Sequence, residues 1–271
     1  YFCFMRFSII TLFGLALFTL PLFLVNCDKE KGDNVVRQED GIDLVYSTKQ
    51  RAIIQGFTST GCLGCGSWGV PTFEEFITKN LDVVPISVHI KYGDPMITDE
   101  SNDLGNNRTG RKWTPQIAVG HTQCVLLTAG NSIDNAGSKK KMQEEYDAIV
   151  AQEQKVKVAA SYKIDGKNMK IFYGGEVLEE ANSEYFISAY LMENNFASYQ
   201  NGGDSVEVHN HFIRTSTEGA FGISLSNKME LEKEFELNPN WNWGEVYALA
   251  VVWKKNGGNY EYLNAIEATK L

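Results

Sequence analysis

The sequence predicts an α/β domain followed by an all-β antiparallel sandwich. Two observations carry this. Cys62-Leu63-Gly64-Cys65 stands where an apolar run gives way to helical spacing, and from about Val156 short alternating apolar segments recur between Gly/Asn turns. A third, at the start of the chain, concerns location. Met5-Arg6 is followed by an apolar stretch from Ile9 to Val25 that ends at Asn26-Cys27. A basic start, a short apolar core and a terminal Cys read as a signal peptide, residues 1–26, with Met5 the expected start. The stretch is shorter than the roughly 20 residues of a membrane-spanning helix.

The end of that stretch resembles a lipobox, with Asn26 in place of the usual small residue. The resemblance implies lipidation of Cys27 and anchorage to a membrane. Asp28-Lys29-Glu30-Lys31 resembles the signal that sends Bacteroidetes lipoproteins to the cell surface. Residues 27–48 are rich in Asp, Glu, Lys and Gly and read as a flexible tether, with little apolar surface to bury. The 271 residues carry a formal charge of −9, which argues against nucleic acid, whose phosphates need clustered Lys and Arg. The one basic run, Lys139 to Lys141, opens an expected helix and reads as its solvated face.

The α/β domain is expected over 49–154. Arg51 to Phe57 is apolar enough for a buried strand. Thr58 to Gly61 is a polar turn. Trp68, Val70, Phe73, Phe76 and Ile77 then recur at helical spacing, and Val83 to Ile90 reads as a second strand. Cys62 therefore falls at a helix start, where unpaired N–H groups favour a thiolate. Cys65 lies within disulfide range one turn on. Cys62 would attack and Cys65 would resolve the mixed disulfide. A purely structural disulfide is the other reading of the pair; a zinc site would need a second pair of ligands. Cys3 and Cys27 belong to the export region, which leaves Cys124 as a buried, inert thiol.

Residues GFTSTGCLGC, with Phe57 five positions ahead of Cys62, resemble the strand–turn–CxxC segment of the thioredoxin superfamily. Thr114-Pro115, ahead of the apolar Gln116 to Val119, resembles that superfamily's threonine–cis-proline, which implies a place beside the cysteines where a substrate backbone can pair. The order implied is strand–helix–strand–helix–strand–strand–helix. Its last strands, Gln116–Val119 and Gln123–Ala129, would form a hairpin over Gly120 to Thr122, and its closing helix would run from Ser138 to about Gln154. Three positions depart from the pattern. Gly61 replaces a Trp, Gly56 replaces a buried acid, and Gly66 is neither Lys nor Pro. Pro71, expected to kink the helix, falls one residue late. Gly93-Asp94-Pro95-Met96 reads as a turn.

The sandwich is expected over 155–271. Its strands read as VKVAASYKI, MKIFYG, EYFISAYLM, VEVHNHFIR, MELEKEFEL, VYALAVVWK and YEYLNAIEA, with turns at 165–168, 201–204 and 256–259. His209 and His211, two apart on an expected strand, would share a face. They are a weak copper or zinc pair, with packing as the plainer reading. Arg214 is expected to pair with an acid, and Trp241 and Trp243 to pack at the core or an edge. Together with Cys27, the CxxC and Leu263-Asn264-Ala265, the HNHxxR segment (209–214) is similar to the outer-membrane-protein-28-related lipoproteins of Bacteroidetes. The resemblance implies an outer-membrane lipoprotein, on the periplasmic face or the cell surface. No motif implies a cofactor. Three functions are consistent with these residues: thiol–disulfide exchange on exported proteins, a non-enzymatic surface adhesin or binding module, and a copper or zinc carrier.

Overall fold

The computed structural model describes residues 41–91, 93–110, 112–125, 133–178 and 183–271. The expected signal peptide, Cys3, Cys27, most of the tether and residues 126–129 of the expected hairpin lie outside the described residues. Among described residues, no helix is long and apolar enough to cross a membrane.

The first part of the fold holds strands β1 (Ile53–Thr58), β2 (Val84–His89), β3 (Gln116–Val119) and β4 (Thr122–Val125), with helices α1 (Val70–Lys79), α2 (Asp99–Asn107) and α3 (Ile133–Val150). β1 pairs in parallel with β2 and antiparallel with β3, and β3 pairs with β4. All six residues of β1 are buried, as expected of a strand covered on both faces. Alternation sends Ile53 and Phe57 into the main core, and Ala52 and Ile54 into a smaller core with Phe73, Phe76 and Met142. Gly56 faces α1: a Cβ there would stand 2.9 Å from the Phe73 ring, so the missing side chain lets the helix pack close.

Helix α2 has little apolar content, and its start is fixed locally. Thr98 and Ser101 form a reciprocal capping box, which satisfies end groups the helix itself cannot. Pro71 lies inside a helical run that begins at Leu63, just after a π-helical turn at Cys65–Gly69, the kind of local irregularity that accommodates a proline's missing N–H.

The remainder is all strand: β5 (Val156–Asp165), β6 (Asn168–Val177), β7 (Tyr185–Glu193), β8 (Phe196–Gln200), β9 (Ser205–His209), β10 (Phe212–Ser216), β11 (Ile223–Leu225), β12 (Lys228–Glu236), β13 (Val246–Asn256), β14 (Asn259–Glu267) and β15 (Thr269–Lys270). Sheet order β12-β6-β5-β15 packs against β14-β13-β7-β10 across the main core. Both sheets are mixed: β10 runs parallel to β2, and β15 parallel to β5. The expected strand VEVHNHFIR is two strands, broken where His211 takes a φ of 59°.

The boundary expected at 154/155 does not interrupt the sheet. β10 pairs with β2 at Phe212 and Ser87, and the Ser87 N–H donates to the His211 carbonyl at 2.6 Å. The described order is β14-β13-β7-β10-β2-β1-β3-β4. Without β10, β2 would carry an open row of backbone donors and acceptors. Asn264, fully buried, ties the same joint. Its Oδ1 accepts from the Arg51 N–H at 3.1 Å, and its Nδ2 donates to the Val156 carbonyl at 2.9 Å. The end of the expected tether is docked as well, since Ser47 is buried and its N–H donates to Val158 at 2.8 Å.

Candidate functional site

Cys62 follows the turn that leaves β1, and the chain is helical from Leu63. Cys62 and Cys65 form a disulfide with their Cα atoms 5.2 Å apart. The Cys65 N–H points at Cys62 Sγ, 3.2 Å away. The same first-turn amide also donates to the Cys62 carbonyl at 3.1 Å, so it is shared between that oxygen and the sulfur that would carry charge. Cys62 is 8% exposed and Cys65 is 0% exposed, so Cys62 is the sulfur within reach of a partner. Cys124 is free and buried in β4, and burial pushes its thiol up.

The Thr114–Pro115 bond is cis. Pro115 lies against the helix that carries the cysteines. A Cβ on Gly69 would stand 2.5 Å from Pro115 Cβ, and one on Gly64 3.1 Å from Pro115 Cδ. Glycine at these two positions is what allows the contact. Arg108 holds the loop from below: its Nη1 donates to the Trp113 carbonyl at 3.0 Å and to Gln116 Oε1 at 2.7 Å. Leu63 and Trp113 are exposed near the site.

No local pattern of residues signals what covers this turn. The β8–β9 hairpin places its tip, 201–204, on the CxxC segment. The Asn201 N–H donates to the Thr60 carbonyl at 2.8 Å, Asn201 Nδ2 to Gly61 at 3.2 Å, and Ser67 Oγ to the Gly202 carbonyl at 3.0 Å. Gln200, 2% exposed, donates to the carbonyls of Ser59 and Cys62, each at 3.2 Å. The turn residues Asn201-Gly202-Gly203-Asp204 signalled a hairpin but not its docking partner. That depends on two segments about 140 residues apart.

Behind the turn lies a buried polar cluster that sequence reading also missed. Asp94 Oδ2 accepts from the Thr60 N–H at 2.9 Å and bonds His89 Nδ1 at 2.8 Å, and Oδ1 accepts from Met96 at 2.9 Å. Neither His89 nor Asp94 has an exposed side chain. Burial pushes the Asp94 carboxyl up, but the His89 contact and the two backbone N–H groups outweigh it and hold it below its usual value. The turn expected at 93–96 is present, and its acid is a brace for the residue two before Cys62.

His209 and His211 do not act as a pair. The backbone break between β9 and β10 sends them to different partners. The His209 ring lies 5.6 Å from His89, whereas His211 Nδ1 meets Tyr247 Oη at 3.0 Å. Among described residues, no three His, Cys, Asp or Glu side chains are grouped as metal ligands. Arg214 does meet an acid, Glu193, at 2.7 Å, and its guanidinium lies over the rings of Phe196, Phe212 and Trp241. Trp241 and Trp243 pack against the edge of the main core from a turn rather than a strand.

No protein-family model matches the chain, and no curated protein sequence matches it. Among solved structures, HBP35 of Porphyromonas gingivalis is similar over 83% of this chain and 76% of that one, with a TM-score of 0.63 at 19% identity. This is a likeness of fold. A domain of the outer membrane lipoprotein Omp28 from Porphyromonas gingivalis matches over 44% of this chain and 90% of that one, at 17% identity and a TM-score of 0.34. A DUF3823 family protein from Bacteroides ovatus ATCC 8483 matches over 42% and 55%, at 15% identity and a TM-score of 0.28. These last two are too distant to inform the fold.

Proposed function

We propose that the chain is an exported lipoprotein of the outer membrane, anchored through Cys27, whose thioredoxin-like part exchanges disulfides with exported proteins. The observation that carries the proposal is the Cys62–Cys65 disulfide at a helix start, with an N–H aimed at Cys62 Sγ and cis-Pro115 packed on the same helix. The parallel β1–β2 pair and antiparallel β3, with α1 and α3 against one face, support the thioredoxin-like reading of that part.

In the exchange, the Cys62 thiolate attacks a substrate disulfide, one substrate sulfur leaves as a thiolate, and a mixed disulfide forms. The Cys65 thiolate then attacks Cys62 Sγ, releasing the second substrate thiolate and closing Cys62–Cys65. The protein is oxidised by two electrons and the substrate reduced by two; the reverse sequence oxidises a dithiol. With Cys65→Ser, Cys62 is expected to hold substrates as mixed disulfides, resolvable on a non-reducing gel and lost with Cys62→Ser. If no species is held and model disulfides are neither reduced nor formed, exchange is not the function.

A second reading has its own support. The hairpin tip leaves Cys62 only 8% exposed, which suits a binding lipoprotein whose disulfide is a staple. In that case ligand affinity is unchanged by reduction.

A further inference from the structure

A cavity of about 440 Å³ opens between the end of α2, β1 and β3 on one side and the β13–β14 hairpin on the other. Two polar residues in its wall are more than nine-tenths buried and open onto the cavity. Gln55, on the Ile53–Phe57 face of β1, is 7% exposed, and its amide bonds no protein group among the described residues. Arg108 is also 7% exposed, and no carboxylate faces its guanidinium. Its Nε donates to the Gly105 carbonyl at 3.0 Å and its Nη1 to Trp113 and Gln116, all neutral acceptors. The two N–H groups on Nη2 have no protein acceptor among the described residues. The cation rests on the Phe57 ring, 4.2 Å from its centroid.

A largely buried charge with no counter-charge is costly, and the Gln55 amide takes its hydrogen bonds from whatever fills the cavity. An anion in the cavity serves both. The rest of the wall has an apolar part, Phe57, Leu104, Trp253 and Tyr260, and a carboxylate on the β13–β14 hairpin, Glu261, which accepts from Asn256 Nδ2 at 2.6 Å, so the occupant needs an apolar body as well as a charge placed at the Arg108 end. We infer that this cavity binds a small organic carboxylate, its charged end on Arg108 Nη2 and Gln55 and its apolar body against Phe57, Leu104 and Tyr260. Arg108 also grips the loop that carries cis-Pro115, so an occupant would touch the residue that supports the cysteine site from behind. The binding site itself does not depend on disulfide exchange.

The test titrates phenylacetate into the full chain and follows backbone amide shifts and heat. Phenylacetate is expected to move the amides of Gln55, Phe57 and Arg108. The uncharged phenylacetamide is expected to bind about tenfold more weakly or less, as loss of a charged hydrogen bond predicts. Arg108→Gln should abolish binding. Because Arg108 also braces the loop, Gln55→Leu is the decisive variant: several-fold weaker binding with an unchanged melting temperature. Equal affinity for the two probes, inorganic phosphate binding as tightly as phenylacetate, or no shifts at millimolar phenylacetate would overturn the inference and leave a water-filled cavity.

Discussion

Gln200 donates its side-chain amide to the carbonyl oxygen of Cys62 at 3.2 Å, so a hairpin near the middle of the all-β segment holds the backbone of the CxxC segment. The same amide bonds Ser59. Gln200→Ala leaves two carbonyls without this donor, a loss of about 1–3 kcal/mol if water cannot replace it. The variant is expected to unfold at lower denaturant, and its disulfide to be reduced by dithiothreitol several-fold faster. Gly66→Ala should act in the same direction, because its Cβ would stand 2.5 Å from the Asn201 carbonyl oxygen. Reduction rates unchanged in both variants would show that the hairpin does not govern access.

Asp94 is the second brace. In Asp94→Asn, one carboxylate oxygen gives way to an N–H donor. That donor cannot accept from both Thr60 and His89, or else cannot accept from Met96. A loss of about 1–3 kcal/mol is expected from the unmade buried bond. Hydrogen exchange at the Thr60 amide should accelerate well beyond that of β5 amides. Equal protection of Thr60 in both proteins would count against the brace.

Acid should destabilise the fold in two windows. Burial, aided by the neighbouring His89, lowers His209 to about 4, and burial lowers His211 to about 4. Both fall below the roughly 6.5 of an unfolded histidine. The unfolded chain therefore binds more protons between these values, and stability falls as pH drops from about 6.5 towards 4, by at most about 1.4 kcal/mol per unit for each ring. Asp94, held below its usual value, adds a further loss as pH falls through its folded pKa. Urea midpoints between pH 7 and 4.5 check the first window, and His209→Phe should flatten part of the slope.

Arg214 and Glu193 form a nearly buried pair, with side-chain exposures of 10% and 1%. Arg214→Ala would leave the buried carboxylate with the Asn242 N–H as its one hydrogen-bond donor among the described residues. A cost of about 3–5 kcal/mol is expected, larger than for an exposed pair such as Lys167–Glu236. Chemical denaturation of the two single variants makes the comparison.

Periodicity and local turn chemistry made much of the fold legible. Strands β5, β6, β7, β12, β13 and β14 lie where alternation placed them, and the cis bond at Thr114-Pro115 was implied by resemblance rather than by local pattern. What escaped was tertiary. Phe196–Gln200 has no strong alternation, so β8 was missed. The run from Val206 to Arg214 looks continuous until His211 bends it. No local signal shows that β10 would close the edge of β2, or that Asp94 and Gln200 would converge on one turn. Helix α2 depends on its Thr98–Ser101 cap more than on an apolar face.

The most direct measurement is the reduction potential of Cys62–Cys65 against a glutathione series, together with the ionisation of Cys62 in the reduced protein. Disulfide exchange predicts a potential above about −300 mV and a Cys62 thiol ionising below the ordinary 8.5 or so. A more negative potential, with Cys62 ionising no more readily than a free cysteine, would contradict it and leave the disulfide as a staple.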